Sequence, residues 1–187
     1  MNNRRKYFAC LFLAYGALVT GLFGSSPSTA ELNHYERKIV ASCLVLEAAS
    51  DGPDGMRAVL NVIFNRADRK MDGVLAQVLK PKQFSCFNSV TGRSRPDFSR
   101  LIRRALHDPM FNQAYQLVMR MEQNQLADNT HGADHYHATS LRNKPYWAQA
   151  MRPTTTIGGH IFYTSESLTT ETVVAAVDFS EDINTPH

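Results

Sequence analysis

One carboxyl side chain lies within an otherwise apolar stretch of the sequence. Glu47 follows Leu44, Val45 and Leu46 and precedes two alanines. A carboxyl group among apolar side chains favours its neutral, protonated form. That form can donate a proton to a departing glycosidic oxygen. Glu47 is therefore the first candidate for a general acid, and the alternative is an ordinary glutamate that faces solvent at the end of a helix.

Histidines cluster later in the chain. His131, His135 and His137 lie within seven residues together with Asp134. In a strand, His135 and His137 would point to the same side. Neutral imidazoles and a carboxylate can form a zinc site. Asp134, His135 and His137 are therefore candidate metal ligands in an alternative interpretation, and His160 could reach the same site from a later hairpin. The other interpretation is a polar groove wall that binds a sugar or peptide and needs no metal or other cofactor.

Hydrophobic periodicity predicts a mainly helical chain with a small β element near its end. Apolar residues at three- and four-residue spacing predict helices, which we place at 35–49, 56–69, 74–79, 98–106 and 110–123. A cluster of Gly, Pro and Asp at 50–55 is expected to break the chain after the first helix. Two strand-like runs meet at Gly158-Gly159, which is a two-residue hairpin signal. Helices followed by strands predict an α+β fold.

The N-terminal segment predicts export. Three basic residues at 4–6 precede an uncharged run over 7–23, and small residues at 28 and 30 fit a signal peptidase site. We predict a signal peptide over 1–30, and an uncleaved anchor is the alternative. We further predict one domain over 31–163 and an acidic, Ser/Thr-rich tail over 164–187.

Charge and cysteine content restrict the class of partner. Segment 31–163 carries 17 basic and 12 acidic residues, a net charge of +5. A basic body suits an anionic polymer such as cell wall and would also suit nucleic acid, but predicted export disfavours nucleic acid. Cys43 and Cys86 could form a disulfide in an exported protein, or could be two buried thiols.

Five blocks of sequence resemble, in the right order, the cell-wall hydrolase family typified by the spore cortex-lytic enzyme SleB. The blocks are LEAASDG at 46–52, AVLNVIFNR at 58–66, PKQFS at 81–85, GADHYHA with PYWA at 132–148, and TIGGHIFY at 156–163. One departure is Ala49-Ser50-Asp51, where the family more usually has Ala-Arg-Gly-Glu.

The resemblance implies a lysozyme-like catalytic domain that acts on peptidoglycan as a lytic transglycosylase. It implies that Glu47 is the single acid and base. Glu47 would protonate the glycosidic oxygen between N-acetylmuramic acid and N-acetylglucosamine, and would then take the proton of the muramic C6 hydroxyl as a 1,6-anhydro ring closes. We expect the substrate groove to include Asn61, Gln83, Phe84, Ser85, Tyr136, His137, Tyr146 and Tyr163.

Three alternatives stay open at this point. A hydrolytic muramidase would cut the same bond with water and would need a second carboxylate, either Asp51 or Asp54. A metal-dependent amidase or peptidase would use the Asp134, His135 and His137 set. A non-catalytic module would bind the wall without cutting it. In each case we expect a monomer in the periplasm or cell-wall space, peptidoglycan as partner and envelope proteins as a further class of partner.

Overall fold

Residues 31–165 are described by a computed structural model. The predicted signal peptide lies outside these residues, and so does the predicted tail beyond its first two positions. No helix within 31–165 combines the length and the apolar character needed to cross a membrane.

The predicted helices are found with bounds shifted by a few residues. They are α1 (His34–Ala48), α2 (Gly52–Arg66), α3 (Met71–Leu79), α4 (Ser99–Leu106) and α5 (Phe111–Glu122). The start of α1 is fixed by a capping box: the Asn33 side chain accepts the N–H groups of Tyr35 and Glu36, and the Glu36 side chain accepts the N–H of Asn33.

The predicted break at 50–55 is wrong in its second half. A 3-10 turn at Ala49–Asp51 does end α1, but residues 52–55 form the first turn of α2. Pro53 is tolerated there because the N–H that proline lacks would have no intrahelical acceptor in a first turn. As a result, only a short turn separates Glu47 from the next helix.

The helix α1 runs through the centre of the fold. Every residue from 39 to 45 is buried, because α2, α4 and α5 pack around it together with a second 3-10 turn at Ser85–Phe87. A helix that is apolar on all sides has to be covered on all sides. The packing therefore fixes α1 firmly and brings its C-terminal end, with Glu47, to the edge of the core.

A three-stranded antiparallel sheet completes the α+β fold. The strands are β1 (His135–Ala138), β2 (Arg152–Ile157) and β3 (His160–Thr164), in the order β1-β3-β2. The predicted hairpin at Gly158-Gly159 is confirmed, since Ile157 pairs with His160. Phe162 of β3 is fully buried against Ala58 and Val62 of α2, and this contact fixes the sheet to the helices.

The segment that enters β1 is held by Asp128. Its carboxylate accepts hydrogen bonds from the Thr130 N–H at 2.7 Å, the Thr130 hydroxyl at 2.6 Å, the Gly132 N–H at 3.0 Å and the Asn65 amide at 3.2 Å. Burial acts to raise the pKa of Asp128, but the hydrogen bonds to the charged form outweigh it, so the net pKa is lowered.

We expect Asp128 to contribute stability that is lost in acid. Because its pKa is lower in the folded than in the unfolded chain, its contribution is complete above the ordinary value of 3.8 and disappears as the pH falls through the lower folded value. Asp128→Asn should therefore lower the free energy of unfolding near neutral pH and cost much less near pH 2. Urea unfolding at both pH values measures the difference. An equal loss at both would contradict the expectation.

Candidate active site

Donors from two distant parts of the chain hold the carboxyl group of Glu47. Its Oε1 accepts the Ser85 hydroxyl at 3.1 Å and the backbone N–H of Cys86 at 2.9 Å. Its Oε2 lies 3.5 Å from the Tyr136 hydroxyl. The side chain is half-buried, so Glu47 does not sit in the wholly apolar surroundings that the sequence predicted. The fold brings together three predicted site residues, Glu47, Ser85 and Tyr136.

The two oxygens of Glu47 differ in what they can do. Oε1 already accepts two hydrogen bonds. Oε2 has one long contact, at the limit of hydrogen-bond distance, and so it keeps the lone-pair capacity to carry a proton and pass it to another group. The geometry therefore fits a general acid or base whose carboxyl group is anchored through Oε1 and whose Oε2 can exchange a proton.

Tyr136 is placed to remain a neutral donor to Glu47. Burial, and next the negative charge of Glu47, raise the pKa of the Tyr136 hydroxyl well above its usual value. The ring is packed by Phe162 at 5.6 Å and by His160 at 5.1 Å between ring centroids. The hydroxyl is thus held beside Oε2 in its protonated form.

The Asp51 carboxylate accepts two hydrogen bonds from the β2–β3 hairpin. Its Oδ1 accepts the N–H of Gly159 at 2.9 Å, and its Oδ2 lies 2.7 Å from Nδ1 of His160. Because a carboxylate only accepts, Nδ1 carries the proton and donates it. The two side chains are 11% and 16% exposed. The sequence placed Asp51 and His160 in different alternatives and missed this pair, for which it carries no local signal.

The other candidate for a second carboxylate lies on the surface. The Asp54 side chain is 73% exposed and forms an ion pair with Arg57 at 3.1 Å. Neither of the two candidates is therefore a buried, unpaired carboxylate of the kind that could act as a partner for Glu47.

The metal-binding alternative is not supported by the geometry. His135 Nδ1 is bonded to Asp134 at 2.9 Å, and Asp134 also accepts hydrogen bonds from Ser165. His137 donates through Nδ1 to the Ala138 carbonyl at 2.9 Å, so its Nε2 accepts the Tyr163 hydroxyl at 3.0 Å and has no lone pair left for a metal. Within 31–165, no three His, Cys, Asp or Glu side chains are grouped so that they could hold a metal ion.

Four predicted groove residues are buried in the structure, so their side chains do not line an open groove there. Asn61 is fully buried and donates to the Ala127 carbonyl and the Asn129 side chain, while Phe84 belongs to the core. His137 and Tyr163 are 7% and 3% exposed because they stack on each other with a ring separation of 5.4 Å. The His137 ring nitrogens and the Tyr163 hydroxyl form hydrogen bonds inside the protein.

Other predicted groove residues keep accessible surface. Tyr146 is 87% exposed at the start of a 3-10 turn, and Ser85 is exposed beside Glu47. Gln83 is half-buried and accepts the Arg66 guanidinium at 3.0 Å, while Arg66 also donates to the Asp134 carbonyl. The sequence missed this role of Arg66, which ties the Gln83 loop to the start of β1.

Cys43 and Cys86 are free thiols in contact with each other. Cys43 is buried one helical turn before Glu47, and its thiol lies near that of Cys86. Burial, followed by this contact, raises the pKa of the Cys43 thiol well above 9.0.

We expect the two thiols to differ sharply in reactivity. A raised pKa leaves less thiolate at any given pH, and burial blocks the reagent, so iodoacetamide should alkylate Cys86 at least about ten times faster than Cys43 in the reduced, folded protein. Peptide mass mapping over time measures both rates, and unfolding in urea should remove most of the difference. Equal rates in the folded protein would contradict the arrangement.

Comparison with known proteins gives a family and a fold. The sequence model of the family described as Cell Wall Hydrolase matches residues 50–163. Ser85 and Tyr136 lie within this segment, and Glu47 lies just before it. No curated protein sequence matches the chain.

Two solved structures resemble the fold at low sequence identity. One is the catalytic domain of the germination-specific lytic transglycosylase SleB from Bacillus anthracis, with a TM-score of 0.50, 19% identity, and coverage of 71% of this chain and 97% of that one. The other is the catalytic domain of the Bacillus cereus SleB protein, with a TM-score of 0.51, 19% identity, and coverage of 75% and 100%.

Proposed function

Because the chain belongs to the cell wall hydrolase family, we propose that it cleaves the glycan strands of peptidoglycan as a lytic transglycosylase. The bond cut is the one between N-acetylmuramic acid and N-acetylglucosamine. One observation carries the proposal: Glu47 is anchored through Oε1, keeps Oε2 available, and has no free carboxylate partner in Asp51 or Asp54.

Glu47 acts twice in the proposed reaction. In the first step, protonated Oε2 donates to the glycosidic oxygen, the bond to muramic C1 breaks, and N-acetylglucosamine leaves with a free hydroxyl. In the second step, the Glu47 carboxylate takes the proton of the muramic C6 hydroxyl while that oxygen bonds to C1. The products are a shortened strand and a 1,6-anhydro end, Glu47 regains its proton, and no water is consumed.

Ser85, Cys86 and Tyr136 support these steps without transferring protons to the substrate. The two donors on Oε1 prevent the carboxyl group from rotating, and the neutral Tyr136 hydroxyl steadies Oε2 when it is charged. Such preorganised donors lower the cost of charge that develops during reaction.

The carboxylate pattern favours transglycosylation over hydrolysis by a muramidase. Hydrolysis with two carboxylates needs a second one about 5–9.5 Å from the acid, to act as nucleophile or to activate water. Both oxygens of Asp51 are engaged by the hairpin, and Asp54 is on the surface. The muramic C6 hydroxyl can serve as the nucleophile in place of water.

The accessible groove residues fit a polysaccharide substrate. We assign Gln83, Ser85, Tyr136 and Tyr146 to the groove, and the exposed Tyr146 ring offers a face on which a sugar can stack. Because the substrate lies outside the cytoplasmic membrane, we also propose that residues 1–30 direct export.

The test is digestion of purified sacculi in water enriched in ¹⁸O, followed by mass spectrometry of the soluble muropeptides. The proposal expects anhydro-muropeptides that carry no ¹⁸O at the new end. Reducing ends labelled with ¹⁸O would identify a muramidase instead. Release of peptides from intact glycan strands, abolished by a chelator, would identify a metal-dependent amidase or peptidase. Sacculi that bind the protein and release no fragments would identify a binding module.

A further inference from the structure

Asp51 occupies a space that two glycines leave open for it. A Cβ atom on Gly158 would lie 2.4 Å from Asp51 Cγ, and one on Gly55 would lie 2.3 Å from Asp51 Cβ. Both distances are far below van der Waals contact. Asp51 is therefore enclosed between the first turn of α2 and the tip of the β2–β3 hairpin.

The hairpin tip is bonded from two sides. On one side Asp51 accepts the N–H of Gly159 and the Nδ1–H of His160. On the other side the Gly159 carbonyl accepts the N–H of Thr139 at 2.7 Å and its hydroxyl at 3.1 Å, just beyond β1. Asp51 thus joins the turn that directly follows Glu47 to the sheet that carries Tyr136.

A chain of contacts leads from this pair to the acid. The His160 ring meets the Tyr136 ring edge to face, with 5.1 Å between centroids and 85° between planes. The Tyr136 hydroxyl reaches Glu47 Oε2 at 3.5 Å. The Asp51–His160 pair therefore limits where the Tyr136 ring, and with it the hydroxyl, can lie.

We propose that Asp51 and His160 are positioning residues, which hold Tyr136 against Glu47 during proton transfer. The inference rests on the proposed function of Glu47. A shift of about 1 Å in a positioning contact can lower a rate by about 100-fold, and the 3.5 Å contact of Tyr136 has little tolerance for such a shift. Nothing in the geometry requires Asp51 or His160 to touch the substrate.

The test measures kcat and KM for release of muropeptides by Asp51→Ala, His160→Leu and His160→Asn. We expect Asp51→Ala and His160→Leu to lower kcat about 10- to 100-fold with KM changed less than about threefold. His160→Asn should recover only part of the loss, because its amide restores an N–H near the position of the imidazole Nδ1 but not the ring that contacts Tyr136. Rescue by this variant is not expected if His160 only fills space.

A matched control lies at the other end of α1. Glu122 is 6% exposed and accepts hydrogen bonds from Arg37 at 2.8 Å and from the Leu32 N–H at 2.9 Å. Glu122→Gln weakens a buried ion pair far from Glu47 and should lower the melting temperature while kcat stays within about threefold of the wild type.

The double variant with Tyr136→Phe separates positioning from general damage. If Asp51 acts through Tyr136, Asp51→Ala should lower kcat by less than about threefold in that background. A full additional loss there would overturn the inference, and so would single variants that match Glu122→Gln in kcat or that change KM alone. If Asp51→Ala fails to fold, the two His160 variants decide. A failure of the proposed function can be distinguished from a failure of this inference, because in that case the wild-type protein itself would release no anhydro-muropeptides.

Discussion

Glu47→Gln should abolish cleavage of peptidoglycan glycan strands and leave the fold intact. The amide keeps the size of the side chain, and its oxygen can still accept the hydrogen bonds of Ser85 and Cys86. It cannot give or take the proton that both steps of the proposed reaction require. We expect kcat for release of anhydro-muropeptides to fall by about 1,000-fold or more, which is typical of the loss of a general acid that also serves as base.

The control for this substitution is Glu36→Gln, in the first turn of the same helix. Glu36 accepts the N–H of Asn33 at 2.8 Å as part of the capping box. Glutamine at this position can keep the capping bond but loses the negative charge near the helix N-terminus. We therefore expect the free energy of unfolding to fall by about 0.3–1 kcal/mol without an effect on kcat. Retention of more than about a tenth of the activity by Glu47→Gln would remove Glu47 from the mechanism.

Gly158→Ala should both destabilise and inactivate the protein. Gly158 has φ +55°, a conformation that costs a residue with a Cβ about 1–2 kcal/mol. The added Cβ would also overlap Asp51 Cγ at 2.4 Å, and relief of such overpacking typically costs a further ~1–3 kcal/mol. Displacement of Asp51 breaks its bonds to Gly159 and His160, so activity should fall more than stability alone would explain.

Gly132→Ala measures the cost of placing a side chain at a positive φ angle without any steric overlap. Gly132 has φ +77°, but a Cβ there would meet nothing within 4 Å. Urea unfolding should therefore give a loss of about 1–2 kcal/mol for Gly132→Ala and a clearly larger one for Gly158→Ala. Equal losses, or full activity in Gly158→Ala, would show that the space around Asp51 is not as restricted as we describe.

Local features of the fold could be predicted from the sequence. The helix periods, the hairpin at Gly158-Gly159 and the position of Glu47 at the end of an apolar helix all depend on residues close in the chain. The break after Glu47 was only half correct, because Pro53 and its neighbours suit a first helical turn as well as a loop.

Burial of polar and aromatic residues could not be predicted. Asn61, His137 and Tyr163 have types that suit a sugar-binding groove, yet the amide nitrogen of Asn61, the ring nitrogens of His137 and the hydroxyl of Tyr163 all bond inside the protein. Residue type tells which hydrogen bonds a side chain can make, but whether the partner is the substrate or another residue depends on distant parts of the chain.

The sequence by itself determined the family, through the resemblance of five blocks in order. It also determined the order of helices and strands and the position of Glu47 at the end of α1, because these depend on residues close in the chain. Only the tertiary structure decided what surrounds that acid. Ser85 and Tyr136 are 38 and 89 residues away from Glu47, and Asp51 and His160 are 109 residues apart. The Ser85 contact forms because the 3-10 turn at Ser85–Phe87 packs on α1. The contacts of Tyr136 and His160 form when the sheet packs on α2 through Phe162. Such long-range packing leaves no periodic signal in the sequence.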